Sequence, residues 1–221
     1  MSKILIEVKN LVKRFNNVEV IKNLDLNFYA GDRIALIGQN GAGKTTLIRC
    51  ILGLYTYEGH LSVLNKSPRT EREKVLQEVG FVPQLPPPLK MTVQEIIDFF
   101  SIIAQTDLEK FYEISEALKL DVKKHIHKPF LKLSGGMKQK LLVSLALARN
   151  PKILLMDEPS ANLDPDAREV LFNYLKKLPE DTLMILSSHR VDEIEDLVNR
   201  LIEMDLGKVV VDKKLAIQNS L

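Results

Sequence analysis

The stretch GQNGAGKTT, residues 38–46, holds three glycines and one lysine and follows directly on the apolar run IALI at 34–37. Its spacing, Gly38-xxxx-Gly43-Lys44-Thr45, is that of a phosphate-binding loop, in which glycines let successive backbone N–H groups turn inward around phosphate oxygens. Side chains at those positions would stand in the way. The flanking residues suit such a loop: RIALIG reads as a short buried strand, and TTLIRCILGL sets Leu47, Cys50, Ile51 and Leu54 at helical spacing, with Gly53 near the end. The helix would aim its partly positive N-terminus at the anion, Lys44 would reach the outer phosphates, and the Thr45 hydroxyl would ligate Mg²⁺. On this reading Gly38, Gln39, Asn40, Gly41, Ala42, Gly43, Lys44, Thr45 and Thr46 form the binding loop.

Upstream, from Ile4 to Phe28, short alternating runs (ILIEV, VEVI, LDLNF) are broken by Asn16-Asn17, the pattern of antiparallel strands and turns. Downstream, residues 59–64 are expected to return to that sheet, and EREKVLQEV reads as a helix leading into the strand GFVPQ. The segment 85–132 differs in character. It opens on Pro86-Pro87-Pro88 and continues as two helical patterns, TVQEIIDFFSIIA and DLEKFYEISEALKL, which predicts an inserted helical subdomain with a stiff entry. A glycine pair, a helix (MKQKLLVSLALAR), the strand run KILLMDE, a helix from Asp166 to Lys177, the strand TLMILSS, a last helix and a C-terminal hairpin complete the order. Strands alternating with helices indicate a parallel sheet covered on both faces. The expectation is an α/β phosphate-loop NTPase fold with a parallel sheet core, an N-terminal antiparallel β subdomain and a helical insert at about 85–150, all in one domain over 1–221.

A second constellation bears on the same chemistry. ILLMDEP, residues 153–159, is an apolar strand ending in two acids, and burying carboxylates there is costly unless a metal or donor compensates them. Asp157 would hold Mg²⁺ and Glu158 would act as general base on the attacking water.

Composition narrows the classes. Thirty-one basic and 29 acidic residues leave a formal charge of +2, and neither sign forms a long block, so no nucleic-acid partner is expected. The single cysteine, Cys50, cannot form an intramolecular disulfide, and the N-terminus lacks the apolar core of a signal peptide. No apolar run approaches the roughly 20 residues that span a bilayer as a helix. A cytoplasmic location is the default, with any membrane role exercised through a partner. His125-x-His127 sits among Lys123, Lys124 and Lys128 and reads as a solvated basic loop rather than a metal site.

With Leu133-Ser134-Gly135-Gly136-Met137 ahead of the acidic strand, the chain resembles the nucleotide-binding subunit of an ATP-binding-cassette (ABC) transporter, and the resemblance covers almost its whole length. The remaining motifs of that family occur in order: Phe15, Gln84, SANLD at 160–164, and His189 after TLMILSS. The resemblance implies ATP and Mg²⁺ as ligands, Phe15 stacked on adenine, Gln84 touching the metal or the attacking water, and His189 positioning that water with Glu158. It also implies that Ser134, Gly135 and Gly136 meet the γ-phosphate held by a second copy, in a head-to-tail homodimer enclosing two ATPs. Separate membrane-spanning permease subunits would be driven from the cytoplasmic face of the cell membrane, docking near Met91, Ile96 and Phe99. SGGMKQK departs from the glutamine-rich continuation of importers and resembles ABC-2 exporters, which favours an export-type or lipid- or cofactor-handling system. The alternative is a non-transport member of the family, of the Fe–S assembly or cell-division type.

Overall fold

A computed structural model describes residues 3–188 and 191–215, and His189 lies outside them. The chain divides into two compact units, one formed by residues up to Val79, Lys152–Asp157 and the chain from Pro179 on, the other by Gly80–Pro151 and Glu158–Leu178.

The first unit contains two sheets. In the three-stranded sheet, β1 (Ile4–Phe15) lies between β2 (Val18–Tyr29) and β4 (Glu58–Val63), antiparallel to both. The β1–β2 connection is the two-residue turn Asn16-Asn17, with φ +45° and +68°. Two successive left-handed residues match the right-handed twist of a hairpin, and asparagine tolerates them better than most residues. Between β2 and β4 come β3 (Arg33–Ile37) and α1 (Lys44–Ile51). After α2 (Arg72–Leu76), β5 (Val79–Val82) carries the chain into the second unit.

The second sheet of this unit runs β6 (Ile153–Asp157), β7 (Leu183–Ser187), β3, β8 (Arg200–Asp205), β9 (Lys208–Lys214), with the first four parallel and β9 antiparallel to β8. Every residue of β6 and β7 is buried. Such strands read as continuous apolar runs, because a parallel sheet is covered on both faces. The register places Asp157 beside Ser187 and Ser187 beside Leu36, so the carboxyl ends of β3, β6 and β7 lie together at one edge. That edge is where open α/β sheets bind ligands.

Two expectations need correction. Leu54 is not on the face of α1: the helix stops at Ile51, Gly53 takes φ +66°, and the N–H groups of Leu54 and Gly53 return to the carbonyls of Arg49 and Cys50. This is a Schellman stop, and Leu54 is left 52 % exposed. The last helix is likewise absent among the described residues, where two 3₁₀ turns, Val191–Glu193 and Glu195–Leu197, take its place. Four acids between 192 and 196 put Asp192 and Asp196 one helical turn apart, and such like charges disfavour a continuous α-helix.

The second unit is mostly helical: α3 (Val93–Ile103), α4 (Leu108–Ala117), α5 (Val122–His125), α6 (Gly135–Ala148) and α7 (Pro165–Lys176). A side chain caps the N-terminus of each. Thr92 and Glu95 form a capping box on α3, and Asp107, Asp121, Ser134 and Asp164 cap the others. Helix α6 is buried continuously from Gln139 to Ala148, so it forms the centre of this unit's core.

Candidate functional site

The loop between β3 and α1 is built on backbone that only glycine adopts readily. Gly38, Gly41 and Gly43 have φ of +141°, +85° and +108°. A Cβ on Gly38 would stand 2.1 Å from the carbonyl oxygen of Met204, whereas one on Gly41 would meet nothing. Gly38 is therefore required by packing against β8 as well as by backbone angle. Gln39, Asn40 and Gly41 are exposed, and Ala42, Gly43 and Lys44 are buried. The Lys44 ammonium donates to the carbonyls of Gly38 (2.6 Å) and Gln39 (3.2 Å), which holds its charge over the loop.

Helix α1 starts at Gly43 with no capping side chain and no acid in its first turn. Its free N–H groups and partial positive charge suit an anion. In that first turn, the Thr45 hydroxyl donates to Asp157 Oδ2 (2.8 Å), while the Ser187 hydroxyl donates to Asp157 Oδ1 (2.5 Å). Asp157 is only 3 % exposed, and among the described residues it forms no ion pair. A buried carboxylate held by hydroxyls alone is suited to a cation. Thr46 is half-buried on the same turn.

Phe15 is 39 % exposed at the β1–β2 hairpin, so it is not a core phenylalanine. Its ring meets the Tyr55 ring edge-on at 5.1 Å.

In the second unit, Glu158 begins the loop after β6 with φ +50° and a half-buried side chain. A non-glycine residue in the left-handed region is strained, and here the strain falls next to Asp157 in sequence. Gln84 is exposed just after β5. Ser134 caps α6 by accepting from the Met137 N–H (3.2 Å), and Ser134 and Gly135 are exposed. Like α1, α6 has no acid in its first turn. Gly136 permits a close approach, since a Cβ there would stand 3.1 Å from the Asn162 carbonyl oxygen. The same helix is tied to the 159–164 loop twice more. Gln139 Nε2 donates to the Pro159 carbonyl (3.2 Å), and Lys140 pairs with Asp164 (2.7 Å).

Known proteins bear directly on this geometry. The sequence profile of the ABC transporter family matches residues 21–161. The chain belongs to the ABC transporter family. Such ATP-binding cassettes are ATPases, and this one binds and hydrolyses ATP. It is 32 % identical to the glutamine transport ATP-binding protein GlnQ of Escherichia coli (strain K12), covering 94 % of this chain and 90 % of that one. The Nod factor export ATP-binding protein I of Cupriavidus metallidurans is also 32 % identical, over 95 % of this chain and 71 % of that one. Among solved structures, the dimeric MJ0796, a bacterial ABC transporter cassette, superposes with a TM-score of 0.81 at 26 % identity, covering 96 % and 99 % of the two chains.

In this cassette the fold brings Lys44, Thr45 and Asp157 together, and leaves Ser134 and Gly135 exposed at the start of α6. Sequence reading passed over four residues. Ser187 was hidden in an apolar strand, Gln139 in a buried helix, Lys13 among the many lysines of an exposed-looking hairpin, and Tyr55 in a loop. A signal existed for Lys13: Leu11, Lys13 and Phe15 fall at every second position of β1, the spacing that puts side chains on one side of a strand.

Proposed function

We propose that this chain is the ATPase subunit of a transporter, pairing with a second copy around two ATPs to drive separate membrane-spanning permease subunits from the cytoplasmic side. The whole of 1–221 would act as one cassette domain, with a helical subdomain at about 85–150. The observation that carries the reading is buried Asp157 held by Thr45 and Ser187 beside a loop that already holds the Lys44 ammonium. Thr45 and Asp157 would hold Mg²⁺, with Gln84 reaching it from the loop after β5, and the ion would neutralise charge on the phosphate oxygens. Lys44 and the loop N–H groups bind the phosphates, Phe15 stacks on the base, Glu158 accepts the proton of the attacking water, and His189 orients that water.

The cradle of Ser134, Gly135 and Gly136, its first two residues exposed, supports pairing, because one ATP needs only one such loop. Two-fold symmetry would give each ATP the loop of one copy and the Ser134 helix of the other. MJ0796, the similar cassette above, is a dimer in its solved structure. Among the described residues no helix is long and apolar enough to cross a membrane, so a permease subunit would supply the passage. Its docking surface would lie on α3. Ile96 is in the core, but Phe99, Ile102 and Ile103 are 50 %, 74 % and 61 % exposed.

Relatives named for uptake and for export are equally similar, so the export-type, lipid- or cofactor-handling reading rests on Met137 and Lys138 after the glycine pair. The non-transport alternative predicts no membrane partner. The decisive experiment is affinity purification of the chain from membranes of its own cell in mild detergent. Recovery of a stoichiometric multi-spanning protein supports transport, and recovery of soluble partners alone refutes it.

A further inference from the structure

A phenylalanine at the tip of a hairpin would ordinarily be free to turn, yet Phe15 is gripped on two sides. The Tyr55 ring meets it at 5.1 Å and 81°, and the Lys13 ammonium lies over it, 4.5 Å from its centroid. Tyr55 is held in turn: Arg49 of α1 donates to its hydroxyl at 2.6 Å, and the Lys13 ammonium stands 5.4 Å from its ring. Lys13 is only 9 % exposed, and among the described residues its ammonium meets these two rings and forms no ion pair. An ammonium laid against two rings with no anion beside it gives up part of its hydration, and the aromatic faces return part of that cost. A methionine would fill the same space at no such expense, so packing does not account for the charge.

We propose that Lys13 is a positioning residue for the adenine base, its ammonium covering one face of Phe15 so that the ring offers the other to the nucleotide. The inference rests on the reading of Phe15 as the base-stacking residue. A cation on one face draws π density toward itself, and the opposite face becomes a better partner for an electron-rich purine. The near-perpendicular Tyr55 ring fixes the rotation of Phe15. Because Arg49 anchors Tyr55 to α1, the helix that opens at the phosphate loop also sets the platform for the base. Lys13 therefore acts through Phe15 and not on the phosphates.

The test is a double-mutant cycle on the full chain, with ATP and inorganic tripolyphosphate as probes in titration calorimetry with Mg²⁺. Lys13→Met should weaken ATP binding about five-fold and raise KM by the same factor with kcat held. Lys13→Arg should restore both. Added to Phe15→Ala, Lys13→Met should weaken ATP no further, and tripolyphosphate affinity should stay at the wild-type level throughout. Wild-type ATP affinity in Lys13→Met, additive losses in the double mutant, or weakened tripolyphosphate binding would each overturn the proposal. If Phe15→Ala alone binds ATP as the wild type does, the stacking reading itself fails, and the inference falls with it. Should Lys13→Met lose its fold, Tyr55→Leu takes its place in the cycle, where coupling to Phe15→Ala is expected and additivity refutes.

Discussion

Lys44 already rests on the carbonyls of Gly38 and Gln39, so its charge is in place before any phosphate arrives. Lys44→Ala should lower ATP turnover by about two orders of magnitude or more while leaving the melting temperature near that of the wild type, and unchanged turnover would refute the loop assignment. Glu158→Gln keeps the size and reach of the side chain and removes its basicity, so ATP should bind with hydrolysis slowed about 100-fold or more. Wild-type hydrolysis with glutamine at 158 would put the general base elsewhere. The roles of these residues were legible because each sits in a motif whose chemistry dictates its residue type. Gly38 was legible only in part. The need for close phosphate approach could be read from the spacing, but the Met204 carbonyl 2.1 Å from where its Cβ would lie belongs to a strand more than 160 residues away. Gly38→Ala should consequently cost about 2 kcal/mol or more of folding stability, measured by denaturant unfolding, in addition to any loss of binding.

At the scale of elements, α1 and α6 are the two helices of eight residues or more among the described residues whose first turns carry no acid; α3, α4 and α7 begin with Glu95, Glu109 and Asp166. A carboxylate at those two starts would repel phosphate, and its absence agrees with the roles proposed for both. Asp164 does a different task. It caps α7 through the Ala167 N–H (2.9 Å) and pairs with Lys140, and the Lys140 bond first, then the cap, holds its carboxyl below the ordinary value. A depressed folded-state value means stability that is present above the unfolded value and is lost as the pH falls through the folded one. Asp164→Ala should thus cost about 1 kcal/mol at neutral pH, shrinking in acid below about pH 4, as read from urea unfolding at several pH values. Strand and helix identities were readable from the sequence pattern, because β6 and β7 are apolar up to their last residues, Asp157 and Ser187, and α3 begins with a capping box. Helix ends were less so. The stop at Gly53 depends on hydrogen bonds back to Arg49 and Cys50, and a Cβ at Gly53 would stand 2.1 Å from the carbonyl of Pro68 in the next loop.

For the whole molecule, pairing and docking make separate predictions. Glu158→Gln should elute as a dimer on size exclusion with ATP and as a monomer with ADP, because only ATP bridges two copies, and Ser134→Arg should dissolve the ATP dimer. A dimer that persists with Ser134→Arg would sink the head-to-tail arrangement. Phe99→Ser should weaken capture of the permease subunit while leaving basal ATP turnover within about two-fold, since half the ring is already in solvent. Lost turnover with an intact complex would count against the docking surface. The order of motifs made the cassette legible, whereas the division into two units was not, since the chain leaves the second unit at Pro151 for the single strand β6 and returns to it at Glu158. Cys50 offers an independent view of the entire fold. It is the only cysteine, it is fully buried on α1, and burial pushes its thiol up to about 11. A thiol reagent at neutral pH can then react only when the helix behind the phosphate loop opens, so labelling kinetics become a stopwatch for that opening, and ATP should slow it in proportion to its saturation of the site.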